Sequence, residues 1–263
     1  MSGIIDEVLA LICESIPNYR EIKISKVCLG LGYTGVKLST GHVGLCHSLL
    51  GEQPLRCCQI VKCAGKLAGS PAIDLAYLAK SWETSESVVG IATLNALSQI
   101  VLDNEERYMM AEGNFLDYIK EKTKKSDTIA MVGCIEPFIV VLRKIARRLY
   151  VFERNPMLFD EQILPDTACE ELLPKADIVI VTGSSIANKT IEHVLKLSQG
   201  AREIGVVGPS AGLVPDPLFN RGVTIISGIR VVDADRLLQI IAEGGGTPQI
   251  KSAVKFVNIR PML

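Results

Sequence analysis

The chain is poor in the features that mark the commonest function classes. Its 263 residues include three histidines, one tryptophan and only 5% aromatics. Charge of one sign is missing as well: 28 Lys+Arg against 29 Asp+Glu leave a formal net charge of −1. No overall field therefore draws a polyanion, and the one basic cluster (Arg143, Lys144, Arg147, Arg148) has no aromatic platform beside it. It reads as a solvated helix face, and nucleic acid is not an expected partner. The longest uncharged run, Ser87 to Leu102, is 16 residues, carries Ser, Thr, Asn and Gln, and is too short to span a bilayer. The opening Ser2-Gly3-Ile4-Ile5-Asp6-Glu7 has no basic leader. A cytoplasmic protein with no membrane partner is expected. Eight cysteines are present, six of them before residue 64, yet no paired Cys-x-x-Cys occurs. A structural zinc site of the usual kind is not supported, and a reducing compartment favours free thiols. The dinucleotide fingerprint Gly-x-Gly-x-x-Gly is also missing.

What is present is globular: 48% hydrophobic and 22% charged residues. The first half reads as one amphipathic helix from Ile4 to Ile12, stopped by Pro17, then three short β runs (Ile22 to Leu31, Thr34 to Leu38, Val43 to Leu45) broken by glycines, then helices over Ala72 to Trp82 and Ser87 to Leu102. Tight glycine breaks favour an antiparallel meander. The second of those helices is apolar on most of its surface, which predicts burial. Asp103 to Asn114 is charged, ends in Gly113-Asn114 and is the expected boundary. Beyond it helix and strand alternate to residue 243, the pattern of a parallel sheet covered on both faces. Four of the predicted strands stop at a glycine: Gly133, Gly183 (after Thr182), Gly208 and Gly228. In one parallel sheet these ends share an edge, and ligands of such sheets bind there.

The richest exit is Thr182-Gly183-Ser184-Ser185-Ile186-Ala187-Asn188-Lys189-Thr190, with a glycine for close approach, hydroxyls and an amide. A Ser-capped helix start explains the same residues. Gly208-Pro209-Ser210 is a stiff turn that either presents Ser210 or merely reverses the chain. Glu153 ends the strand after Gly133, twenty residues on, where an acid can hold ribose hydroxyls or can simply sit on the surface beside Arg154. Asn95 lies in the buried-looking helix and needs partners, either in the core or in a cleft. His42 and His47 fall on opposite faces of their strand and should not converge on one ion. Cys57, Cys58 and Cys63 form either a soft-metal cluster or small buried residues. Gly244-Gly245-Gly246 exceeds what a helix cap needs, so a mobile flap is one reading.

Taken together, Gly90-Ile91-Ala92-Thr93-Leu94-Asn95-Ala96, Val151-Phe152-Glu153 with Pro156, Thr182-Gly183-Ser184 with Asn188 and Thr190, and Gly208-Pro209-Ser210 resemble the heavy-metal chelation family over nearly the whole chain. The resemblance implies an α/β protein: a small α+β domain like the N-terminal domain of enolase over residues 1–110, with an antiparallel β-meander plus helices, and a Rossmann-like parallel sheet with helices on both faces over 111–263. It implies a ligand site in the cleft between them, with Asn95, Gly133, Glu153, Thr182, Gly183, Ser184, Asn188, Thr190, Gly208, Pro209 and Ser210 lining or shaping it. The expected partner is a small molecule or metal chelate, and the expected cofactor a heavy or transition metal or a nucleotide-like ligand. An enzyme acting on a nucleotide-like or carboxylated heterocyclic substrate, with Glu136 or Glu153 as base, is the alternative. No metal ligands or catalytic residues are assigned, the cysteine group matches no motif of the family, and homo-oligomerisation stays open.

Overall fold

The computed structural model describes residues 3–53, 61–104 and 106–262. Cys57 and Cys58 lie outside that range, and Cys63 is an exposed free thiol. Helix α1 (Ile4–Ser15) buries Ile4, Val8, Leu9 and Ile12. Strands β1 (Ile24–Leu29), β2 (Tyr33–Leu38) and β3 (Val43–His47) form the antiparallel meander. Helices α2 (Ala72–Ala76) and α3 (Thr84–Asp103) follow.

The second half runs β4 (Tyr108–Glu112), α4 (Phe115–Lys122), β5 (Thr128–Val132), α5 (Glu136–Ile145), β6 (Arg148–Glu153), β7 (Leu164–Pro165), α6 (Cys169–Leu172), β8 (Ile178–Thr182), α7 (Ser184–Ala187), α8 (Ile191–Leu197), β9 (Glu203–Val207), α9 (Asp216–Phe219), β10 (Ile225–Val231), α10 (Ala234–Ala242), α11 (Thr247–Ile250) and β11 (Val254–Pro261). Its sheet has the order β4-β11-β10-β9-β8-β5-β6-β7. From β10 to β7 all pairings are parallel, and β11 is antiparallel to both its neighbours. The parallel part has the mononucleotide-fold order 3-2-1-4-5-6, counting from β5.

Several sequence expectations need correction. Asp103 to Asn114 is not a bare connection: it contains β4, an edge strand that pairs with β11. The helix expected over 186–198 is broken, because Lys189 takes a left-handed φ of 67° between α7 and α8. Gly228 does not end its strand; β10 continues to Val231 and Gly228 pairs with Val257. The three glycines are not a loose flap either. Gly244 has φ 79°, and a Cβ on Gly245 would lie 2.4 Å from Ile240 Cγ2, while the Gly245 carbonyl packs against Gly32.

Helix α3 joins the two sheets. Its 20 residues are long and apolar enough to cross a membrane by length and composition, but 83% of that window is enclosed by the protein itself. One side of α3 packs on β2 and β3, and its other sides meet α1, α2, α7 and the turn Pro209–Ala211. The opposite face of the small sheet is covered by α10, through Tyr33, Val43 and Leu45 against Leu237, Leu238 and Ile241. The contact with α3 is backbone to backbone. A Cβ on Gly44 would sit 2.2 Å from Ala92 O and Ala96 N, and one on Gly90 would sit 1.9 Å from Ala79 N.

No side chain can relieve those clashes, so the chain must separate to admit a methyl group. Gly90→Ala is expected to cost about 3 kcal/mol, a fall in melting temperature on the order of 10 °C for a chain of this size. Differential scanning calorimetry of the variant checks this.

Candidate functional site

The parallel strands grow outward from β5 in one direction and from β8 in the other, so the crevice between their carboxyl ends is the switch point of the sheet. The glycines there are needed for contact. Gly133 has φ 100°, and a Cβ on it would come 2.6 Å from Thr182 Cγ2. A Cβ on Gly183 would come 2.7 Å from Ala211 N. The strand exits therefore lie against one another, and a cavity of about 1260 Å³ opens above them. Tyr33, His47 and Glu52 line it from the first half of the chain, and the exits of β5, β6, β8 and β9 line it from the second.

Of the residues singled out from the sequence, Gly133, Glu153, Thr182, Gly183, Ser184, Asn188, Thr190, Gly208, Pro209 and Ser210 all border this cavity. Asn95 does not. It is 2% exposed and lies behind the wall, donating from Nδ2 to Leu45 O (2.7 Å) and Ser210 O (3.1 Å), so it shapes the site through the loops it holds. The serines of the β8 exit do not cap the short helix. Thr182 Oγ1 and Ser184 Oγ lie 3.1 Å apart, and Ser185 Oγ donates to Thr182 O. Asn188 Oδ1 accepts from Thr190 Oγ1 at 2.8 Å, and its Nδ2 donates to Glu52 Oε1 at 3.1 Å. Glu52 also faces Arg154 Nε at 3.4 Å, so one carboxylate from the first half ties two loops of the second.

Glu153 accepts three backbone N–H groups: Cys134 at 2.9 Å, Arg154 at 2.7 Å and Asn155 at 2.9 Å. Three of its roughly four lone-pair positions are engaged. It binds the exit of β5 to the exit of β6, which leaves little capacity for a ribose.

His47 projects from β3 into the cavity, edge-on to Tyr33 with ring centroids 5.8 Å apart. Its Nδ1 accepts from Leu49 N at 3.2 Å. That bond assigns the proton of the neutral ring to Nε2. The His47 ring is open to the cavity, but the protein atoms around it desolvate it and push the imidazole pKa down, and the Glu153 carboxylate pulls it partly back. His42 is elsewhere, between Thr40 and Asp103 on the outer surface. Two cysteines border the cavity, and both thiols are held protonated. Burial raises Cys134, helped by Glu153 and Glu136, and burial raises Cys169 to about 12. Among the described residues no group of three or more His, Cys, Asp or Glu side chains is placed to hold a metal ion.

A sequence model described as "Putative heavy-metal chelation" matches residues 115–260, and a second model with the same description matches residues 13–98. The chain belongs to this family. An uncharacterized protein of Methanocaldococcus jannaschii is 30% identical over 181 residues, 68% of this chain and 67% of that one. Crystal structures of two family members of unknown function share the fold. The one from Pyrococcus horikoshii has a TM-score of 0.80 at 24% identity, covering 98% of both chains. The one from Desulfitobacterium hafniense has a TM-score of 0.77 at 25% identity, covering 97% of this chain and 98% of that one.

The family resemblance left out the cavity residues supplied by the meander. Tyr33, His47 and Glu52 carry no motif, but strand alternation already put His47 on the face away from Cys46, and that is the face that opens here. Ser227, Asn155 and Phe115 had no sequence signal beyond their places at strand and helix ends.

Removing the Glu153 carboxylate orphans three backbone donors, so Glu153→Ala should lower stability by about 2 kcal/mol in chemical denaturation, with Glu153→Gln losing less. The depressed pKa of His47 gives a sign as well. The unfolded chain takes up this proton at higher pH than the folded one, so the contribution to stability is complete above the unfolded value near 6.5 and is lost as pH falls below it. The drop in melting temperature between pH 7.5 and pH 5 should be smaller in His47→Gln than in the wild type.

Proposed function

We propose that this family member acts in metal handling by binding a small organic ligand or a ready-made metal chelate, not a bare ion, in the switch-point cavity. The state of His47 carries the reading. A metal coordinates an imidazole through its unprotonated nitrogen. Here that nitrogen is Nδ1, already occupied by the Leu49 N–H, and the nitrogen left free is a donor. The two cavity thiols are held in the neutral form, which binds metal poorly until its proton is displaced. Around the β8 exit, beside the engaged carboxylates of Glu52 and Glu153, the cavity presents hydroxyl, amide and N–H: Thr182, Ser184, Asn188, Thr190 and His47. Such a lining suits an oxygen- and nitrogen-rich molecule that supplies its own metal ligands. The family description supports the connection with metals.

An enzyme acting on a nucleotide-like substrate is the second reading. The strand order and the position of the cavity favour it. The engagement of Glu153 by three backbone donors weighs against ribose binding of the usual kind.

Thermal-shift measurements separate the readings. Zn²⁺, Ni²⁺ and Co²⁺ are tested alone and as citrate and histidine chelates, beside ATP, NAD and S-adenosylmethionine. A chelate at about a hundredfold over its Kd should stabilise the protein by about 2.7 kcal/mol, and Thr182→Val should abolish that shift. Equal stabilisation by the bare ions, unchanged in Thr182→Val, would overturn the proposal; a response to the nucleotides alone would favour the second reading.

A further inference from the structure

The cavity is not confined to the switch point. Its lining begins at Glu112 and Lys255, on β4 and β11, and ends at Asp166 and Thr167, just past β7. Those residues stand at opposite edges of an eight-stranded sheet. With strands about 4.8 Å apart, the trench is roughly 34 Å long. The hydroxyls and amide of the β8 exit occupy only its middle.

At the β10 end the lining changes character. Ser227 borders the cavity, is 3% exposed, and its hydroxyl has no hydrogen-bond partner among the described residues. Its cross-strand neighbour is Asn258, on the same face of the sheet, whose Oδ1 is buried without a partner among the described residues. A buried polar atom left unpaired costs about 1–3 kcal/mol. Asn258 Oδ1 is such an atom, and the Ser227 hydroxyl beside it opens unpaired onto the cavity, so the two mark a place where something else completes the bonding. Both oxygens can accept, and a hydroxyl can also donate, so the missing group brings an N–H or O–H. The surroundings are flat and apolar. Phe115 and Phe138, which line the cavity, stack at 5.8 Å and 12°, and Phe256 of β11 also borders it. At this edge of the cavity Lys255 and Glu112 pair with each other, with Lys255 Nζ 2.6 Å from Glu112 Oε1.

We propose that the β10–β11 end of the trench is a second subsite, which takes a neutral planar group with a hydrogen-bonding edge, a carboxamide or the amino edge of a nucleobase. Ser227 reads that edge and the phenylalanines frame the ring. The inference rests on the reading of the cavity as a small-molecule site. It adds that the natural ligand is long, or that two ligands bind together, one at the β8 exit and one here.

Nicotinamide and adenine serve as probes of the two chemistries, in calorimetric and ligand-observed NMR titrations of the full chain. At least one should bind, weakened about tenfold or more by Ser227→Val and less than about twofold by Thr182→Val. Which of the two binds tells a carboxamide from a nucleobase. Because the Ser227 hydroxyl has no protein partner, the empty variant should melt within about 2 °C of the wild type; Ser227→Ala repeats the test if valine does not fit. The subsite is refuted if neither probe binds at about 10 mM, if binding is indifferent to Ser227, or if Ser227→Ala destabilises the empty protein as a lost hydrogen bond would. If the probes fail in one of these ways while a metal chelate still binds and is lost in Thr182→Val, the metal-handling reading stands and this one falls. No response to chelate or probe would remove both.

Discussion

Everything at the site depends on one buried helix that carries a few polar groups. α3 is enclosed almost all round, yet it holds Ser87, Asn95 and Ser98 in its interior-facing surface. Each has a specific backbone target in the second half of the chain. Ser87 Oγ donates to Ala187 O at 2.8 Å, Asn95 Nδ2 donates to Ser210 O, and Ser98 Oγ accepts from Val214 N at 3.0 Å. These targets lie in the loops after β8 and β9. Loop backbones are normally satisfied by water; here the core helix replaces water and fixes where the loops stand. Lys189 adds a fourth tie. From its left-handed position its Nζ donates to Ala79 O and to Ser87 Oγ, and burial lowers its pKa to about 8. The ammonium is kept despite that burial because a carbonyl and a hydroxyl meet it.

This arrangement explains the character of the cavity. Its glycines let strand exits touch, its hydroxyls are oriented by neighbours on the same loop, and two of its carboxylates, Glu52 and Glu153, are engaged in structure. Glu153 and Glu52 bind loops to loops, and the hydroxyls and amides of the β8 exit stand between them.

Much of the fold could be read from the sequence because the signals were local. The β-branched runs closed by glycine became strands, and the apolar run Ser87 to Leu102 became the core helix. The strands that escaped are β4, β7 and β11, and β7 is only two residues long. Tyr108-Met109-Met110-Ala111-Glu112 is exposed at four of its five positions and gains its form only by pairing with β11. Asn95 was legible as a buried amide needing partners, but whether it faced core or cleft depended on Leu45 and Ser210, 50 and 115 residues away in the chain. The same holds for Glu153: spacing marked its place at a strand end, while its three donors are fixed by how two loops curl around it. His47 could be assigned a face and not a role, since its role comes from Leu49, whose φ of 50° turns the N–H back onto the ring.

The covering of the small sheet by α10 bears on the order of assembly. One face of the meander packs on α3, which the ribosome delivers soon after, but the other needs Leu237, Leu238 and Ile241 from near the end of the chain. Tyr33 waits likewise for Thr247, which it meets at 2.6 Å, and Lys37 for Asp235. During synthesis β1 to β3 thus present an uncovered apolar surface until residues 237–247 emerge, about 200 residues later. Contacts so distant in sequence form slowly, and a nascent chain in that condition is a natural client for chaperones.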